Sequence, residues 1–210
     1  MSIEIKRSIK PVDYSYAINL MEKRLEKVIN NNANELIWFL EHNEIYTAGT
    51  SSKQTDILDK SIKIIKTSRG GRITCHSPGQ LICYFVIDLS KRKKDIRNFI
   101  ITLENSIINT FKEFKITTSS DRKNIGIWIN HNKESKKIAA IGVRVKKWVA
   151  YHGFSININN NLNYFRKIVP CGLKNKKVIS LEKISKIKYS DFLKKLEKNL
   201  IKNLSVSNYF

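Results

Sequence analysis

Two places in this sequence carry side chains that could do nucleophilic chemistry together. One is a cysteine held between a proline and a glycine, Pro170-Cys171-Gly172; the other is a lysine that opens a run of small and apolar residues, Lys137-Ile138-Ala139-Ala140-Ile141-Gly142. A cysteine in so tight a turn keeps its sulfur out of a core strand and lets backbone approach a substrate closely. A lysine folded back against it favours the thiolate, which is the nucleophile. The pair predicts acyl transfer, with Cys171 attacking and Lys137 activating. Lys137 also reads as one more solvated lysine among many, but a strand end facing small residues is a place where a lysine is partly desolvated.

A second segment, Arg69-Gly70-Gly71-Arg72-Ile73-Thr74-Cys75-His76-Ser77-Pro78-Gly79-Gln80, is dense in residues that relax the backbone. Adjacent glycines leave amide N–H groups uncovered, so the segment is either a tight turn between strands or a loop that cradles a carbonyl or carboxylate. It lacks the lysine of a phosphate-binding loop. His76 is a candidate base or a packed histidine that holds the turn. Cys75 beside it does not make a Cys/His pair, because consecutive strand residues face opposite sides. Cys75 and Cys83 read as small buried hydrophobes. In Tyr151-His152-Gly153-Phe154 the glycine marks either a bulge or a substrate contact.

The elements that must position these residues follow from periodicity. Ala17, Ile18, Met21, Leu25, Val28 and Ile29 fall on one helical face over 13–31, with Asp13 as N-cap; Ile96, Phe99, Ile100, Leu103, Ile107, Ile108, Phe111 and Phe114 do the same over 95–114. Strands are expected at 36–40, at 45–50 running into a loop, and at 62–65, 73–76, 80–89, 125–130, 137–148 and 149–158, with a polar hairpin loop over 131–135. An irregular stretch, 159–172, carries Cys171, and Ser190 is read as the N-cap of a last helix reaching 204. Nothing divides the chain, so residues 1–210 read as one α+β domain, a mixed β-sheet flanked by helices.

The chain has 210 residues, 41% of them hydrophobic and 27% charged, as expected of a soluble enzyme. No apolar run is long enough for a membrane span, and the N-terminal residues lack the apolar core of an export signal. Three scattered cysteines imply neither a disulfide framework nor a zinc site, so the protein reads as cytoplasmic, without metal and with no membrane partner. The formal net charge of +21 invites a nucleic-acid reading. Its lysines are spread along the chain among abundant Asn and Ile, however, without the clustered basic residues and interleaved aromatics of a nucleic-acid groove, and the expectation is no nucleic-acid partner.

Taken together, these segments resemble the lipoyl(octanoyl) transferase family. The resemblance runs from Glu41-His42-Asn43 and Tyr46-Thr47-Ala48-Gly49 through the Arg69–Gln80 block, the strand from Lys137 to Gly142, His152-Gly153 and Asn157 to the Pro170-Cys171-Gly172 turn. It implies a biotin/lipoate protein ligase-like fold. It also implies transfer of octanoate from octanoyl-acyl carrier protein, through a thioester on Cys171, to a lysine of lipoyl domains, in 2-oxoacid dehydrogenase complexes and the glycine cleavage H protein. No cofactor or ATP is implied. The family's nucleophile falls on Cys171 and its activating lysine on Lys137. Its acyl-binding segments fall on Arg69, Gly70, Gly71, Arg72, Ile73, Thr74, Cys75 and His76, on Ala140, Ile141 and Gly142, and on Gly153, Phe154 and Ser155. Cys75 stands where the family usually has an aromatic residue and Ser77 where it usually has glycine, departures that bear on the shape of the acyl pocket. The same kinship offers an alternative, an ATP-dependent lipoate-protein ligase, which has no use for a nucleophilic cysteine.

Overall fold

The computed structural model describes residues 2–170 and 177–206; Cys171 lies outside them. In chain order the elements are β1 (Ile3–Arg7), α1 (Tyr14–Ile29), β2 (Glu35–Leu40), β3 (Ile45–Ala48), β4 (Ile64–Lys66), β5 (Ile73–His76), β6 (Gln80–Asp88), α2 (Ile96–Glu113), β7 (Ser119–Ser120), β8 (Ile127–His131), β9 (Glu134–Lys146), β10 (Val149–Asn157), β11 (Lys177–Val178) and α3 (Tyr189–Val206). Short 3₁₀ turns at Gln54–Asp56 and Leu162–Lys167 pack under the small sheet.

The mixed sheet flanked by helices expected from the sequence is present, with a second, smaller sheet beside it. The larger runs β1-β2-β6-β10-β9-β8-β7, with β11 parallel to the start of β9; the smaller is β4-β3-β5. Alternation along the central strands sends side chains to two cores. Leu81, Cys83 and Phe85 of β6 and Phe154 and Ile156 of β10 meet α2 and α3 on one face, while Ile82, Tyr84, Val86 and Tyr151 meet α1 on the other. Tyr46, Ile73, Cys75, Phe165 and Ile168 form a third cluster beside the small sheet.

Both helices read from periodicity are present. Asp13 caps α1 by accepting from the Tyr16 N–H at 2.8 Å, and Asp95 caps α2 by accepting from the Asn98 N–H at 2.9 Å. Ser190 is no cap, because α3 already begins at Tyr189. The loop expected over 131–135 contracts to a tight turn at Asn132 and Lys133, φ 54° and 62°, which extends β9 back to Glu134; a second such turn at Lys147 and Trp148, φ 47° and 64°, joins β9 to β10. Left-handed backbone at both central residues matches the twist of the flanking strands and fixes the register that places Gly142 opposite Gly153.

β8 accompanies β9 only as far as Ala139. Beyond it, the loop from Ser68 to Arg72, which leads from the small sheet into β5, packs against the edge of β9. A Cβ on Gly70 would stand 2.8 Å from the Val143 carbonyl oxygen, so only glycine allows that approach.

Candidate active site

At this junction lies a cavity of about 780 Å³, walled by loop 68–72, β5, β9 and β10 and rimmed by Ile96 and Ile100 of α2 and Ile125 before β8. Every residue expected to bind substrate lines it except Cys75. Lys137 lines it too. Cys75 instead packs with Tyr46 and Phe165 in the third cluster, and burial pushes its thiol up to about 12.

The two arginines reach the wall but turn their charge inward. Arg69 donates from Nη1 to the carbonyls of Gly70 (3.0 Å) and Arg72 (2.8 Å) and from Nη2 to the carbonyl (2.7 Å) and hydroxyl (2.9 Å) of Thr47. Arg72 pairs with Asp56, which is buried, and Asp56 returns a carbonyl to the Val169 N–H at 2.7 Å. These bonds tie the glycine loop to β3 and to the chain just before Cys171.

His76 is buried, and its protonation follows from its neighbours. Gln80 Nε2 donates to Asn157 Oδ1 at 2.9 Å, so Gln80 Oε1 is the atom facing His76 Nδ1 at 2.7 Å. Nδ1 therefore carries the proton and Nε2 is left as an acceptor. Burial lowers the imidazole to about 3, with the nearby His42 adding to the shift, so His76 is neutral near pH 7, and its bond to Gln80 ties it into the turn. Beneath it lie residues the sequence reading missed: Tyr14, stacked on His76 with ring centres 6.5 Å apart, and Tyr84, whose hydroxyl is 2.9 Å from His42 Nε2. Their signal was hidden in runs that read as ordinary core. The exposed rim isoleucines were missed as well.

Lys137 is 6% exposed. Its Nζ donates to the Ile125 carbonyl at 3.0 Å and lies 4.8 Å from the centre of the Trp128 ring. Trp128 in turn donates to the Asn124 carbonyl at 2.9 Å, and Asn124 is tied to Asp121, so the loop that holds the amine is itself braced. Lys136 departs from this pattern and meets Glu134 at 3.4 Å. β11, the first described element after Cys171, pairs with Lys136 and Lys137, and the Ile179 N–H donates to the Lys137 carbonyl at 3.0 Å. Asn157 Nδ2 donates to the Ile179 carbonyl at 3.2 Å, which joins the His76–Gln80 network to the same point.

His152 breaks the alternation of β10. Its φ is +70°, a conformation that costs a non-glycine residue about 1–2 kcal/mol. Gly153 follows it under a hard constraint, since a Cβ there would lie 1.8 Å from the Cys83 carbonyl oxygen.

Among the described residues no cluster of His, Cys, Asp and Glu could hold a metal, and no helix is long and apolar enough to cross a membrane. The cavity thus offers a buried amine, neutral imidazoles, glycine backbone and an apolar rim, a set suited to proton transfer beside an acyl chain.

Comparison with known proteins bears on the same region. The family model described as the lipoyl protein ligase A/B catalytic domain matches residues 13–201. An octanoyltransferase of Wolbachia pipientis wMel is 44% identical over 189 residues, covering 88% of this chain and 92% of its own. In structure, P. falciparum LipL1 in complex with lipoate superposes with a TM-score of 0.72 at 17% identity, covering 100% of this chain and 64% of that one. A biotin protein ligase from Aquifex aeolicus gives 0.54 at 15% identity, covering 97% of this chain and 70% of that one. The biotin/lipoate ligase-like fold expected from the sequence is the fold observed.

Proposed function

Since the chain belongs to the lipoyl protein ligase A/B catalytic-domain family, and within it to the octanoyltransferases, we propose that it is an acyltransferase that moves an octanoyl group onto a lysine of lipoyl domains. The donor is octanoyl-acyl carrier protein, and the intermediate is a thioester on Cys171. The acceptors are the lipoyl domains of 2-oxoacid dehydrogenase complexes and the glycine cleavage H protein. The single observation that carries the reading is Lys137: a buried amine on the cavity wall, held by a carbonyl and an indole, beside the strand into which the chain returns after Cys171.

In this scheme Lys137 favours the thiolate of Cys171, which adds to the thioester carbonyl of the donor. The tetrahedral intermediate collapses by breaking the bond to the pantetheine sulfur, which takes the proton Lys137 carried beside the thiolate and leaves as a thiol, so that Lys137 is now a neutral amine. One thioester replaces another, so the step is nearly balanced in energy. The acceptor lysine then attacks as a neutral amine, Lys137 takes its proton, and the Cys171 thiolate departs, leaving an amide. Amide N–H groups of the glycine-bearing wall would stabilise each oxyanion in this scheme, and the isoleucine rim that lines the cavity would shield the tail. Since the acyl group arrives activated, no ATP enters. That is what divides this reading from an ATP-dependent ligase.

The test is intact mass after incubation with octanoyl-acyl carrier protein without ATP. One octanoyl adduct, removed by hydroxylamine and absent in Cys171→Ala, is the expected result. Transfer that needs ATP and free octanoate, with no adduct, overturns the proposal in favour of the ligase.

A further inference from the structure

We propose that His152 is a positioning residue: turned onto the cavity face by its left-handed backbone, it clamps Ser68 and so fixes the glycine loop whose distance from β10 sets which acyl chains the cavity accepts. The inference rests on the acyl-transfer reading for the identity of the ligand, but not for the clamp itself.

The register of β10 shows how unusual the residue is. Ala150, Phe154 and Ile156 lie on the α2/α3 face, and Val149 and Tyr151 lie on the α1 face. Strict alternation would send the His152 side chain toward α2 and α3. Instead its ring stacks on that of its own neighbour Tyr151, centres 4.7 Å apart and planes 25° from parallel, which puts consecutive side chains on one face. The amide turns with it: the His152 N–H donates to Sδ of Met21 on α1, at 3.3 Å. Pairing with β6 and β9 continues on both sides without a shift, so the turn is confined to this residue and the glycine after it. A strained conformation kept at a cavity wall is a reason to ask what the side chain does there.

What it does is hold Ser68. His152 Nε2 and Ser68 Oγ share a hydrogen bond of 3.0 Å, and the ring is 2% exposed. Burial, together with the charges of Arg69 and Arg144, lowers the imidazole to about 3. Near neutral pH the ring is thus a permanent hydrogen-bonding group and not a switch. Ser68 opens the loop that carries Gly70 and Gly71, and its carbonyl accepts from Arg144 Nη1 at 3.0 Å. One residue is therefore tied to β10 by its side chain and to β9 by its backbone. Arg69 and Arg72 also brace the loop to β3 and Asp56, and Gly70 packs against the Val143 carbonyl of β9. The His152–Ser68 bond is the side-chain tie from the loop to β10, and with the contacts to β9 it helps set the width of the cavity between loop and sheet. Lys137 is held independently, by Ile125 and Trp128, so loosening the loop affects acyl binding more than proton transfer.

The experiment compares Ser68→Ala, His152→Phe, the double variant and the conservative Ser68→Thr, using octanoyl- and dodecanoyl-pantetheine as donors. In folded Ser68→Ala, KM for the octanoyl donor should rise about tenfold, the worth of one hydrogen bond in a buried site, with kcat falling less. The preference for octanoyl over dodecanoyl should narrow, Ser68→Thr should restore both, and the double variant should be no worse than His152→Phe. Hydrogen exchange at Gly70 and Gly71 provides a readout that needs no activity and should quicken in Ser68→Ala. Unchanged KM, chain preference and exchange in that variant would overturn the clamp, as would additive losses in the double variant. A wild-type protein that transfers no octanoyl group would instead sink the acyl-transfer reading, and the exchange rates would still decide the clamp.

Discussion

Removing the sulfur of Cys171 should leave a folded protein with no thiol able to react near neutral pH, and the other two cysteines show how large the contrast is. Cys75 is 1% exposed and its thiol is pushed up to about 12, chiefly by burial and also by the charge of Glu44. Cys83 is fully buried in β6, between β2 and β10, and burial pushes its thiol well above the ordinary value as well. At pH 8 a thiol titrating near 12 is ionised in about one molecule in 10⁴, against about one in four for an ordinary cysteine near 8.5. Only the thiolate reacts, so Cys75 should be alkylated about 10³-fold more slowly than an ordinary exposed thiol on ionisation alone, before burial is counted. The assay is iodoacetamide labelling at pH 8, followed by intact mass. Wild type should take one label and Cys171→Ala none over the same interval, while both should label Cys75 and Cys83 once guanidinium unfolds them. Native Cys171→Ala that takes up label at Cys75 at more than about 1% of the wild-type rate would refute the burial argument and reopen Cys75 as a nucleophile.

Two further outcomes follow. Lys137→Ala should lower kcat/KM by about 10² or more and move the pH midpoint of Cys171 alkylation upward, whereas Lys136→Ala, which loses only a contact with Glu134, should cost little; equal losses would show that charge in general, and not a placed amine, is at work. His76 and His152 are both lowered to about 3 from an ordinary 6.5, so the unfolded chain binds protons that the folded one refuses, and stability should fall as pH drops below about 6.5, by about 2 kcal/mol per histidine at pH 5. Guanidinium midpoints at pH 7 and pH 5 check this, and a His76→Gln variant with the same pH dependence as wild type would contradict it.

The sequence made some of this legible and hid the rest for physical reasons. Phe99, Leu103, Ile107 and Phe111 announce α2 because a helix that packs on a sheet needs one continuous apolar face. β1 was missed because a five-residue edge strand packs too few residues to leave a pattern. Cys75 was separable from His76 by alternation alone, although the acyl-binding segment implied by family resemblance still included it. The partners of the two arginines, Thr47 and Asp56, are distant in sequence, so only the fold shows their guanidinium groups bracing a loop. His152 was flagged only through its glycine. A left-handed histidine inside a strand contradicts the very period on which strand reading depends, so no inspection of spacing would have found the direction of its ring.

The placement of Lys137 shows what the fold contributes beyond the residue types. Two glycines bracket the stretch of β9 that β8 leaves uncovered: Gly70 against the Val143 carbonyl, and Gly126, where a Cβ would come within 2.6 Å of the Ala139 carbonyl oxygen and 3.3 Å of Lys137 Nζ. The cavity opens between them, at a sheet edge where backbone approaches backbone too closely for any side chain. Some lysines of this chain are held by carboxylates, as Lys146 is by Glu26 and Lys177 by Glu134. Among the described residues Lys137 has no such partner and is held by a carbonyl and an aromatic face, which fix its position without supplying a counter-charge. An ammonium with a bound carboxylate has its charge already answered. One held only by dipoles in a buried wall keeps its field for whatever anion enters.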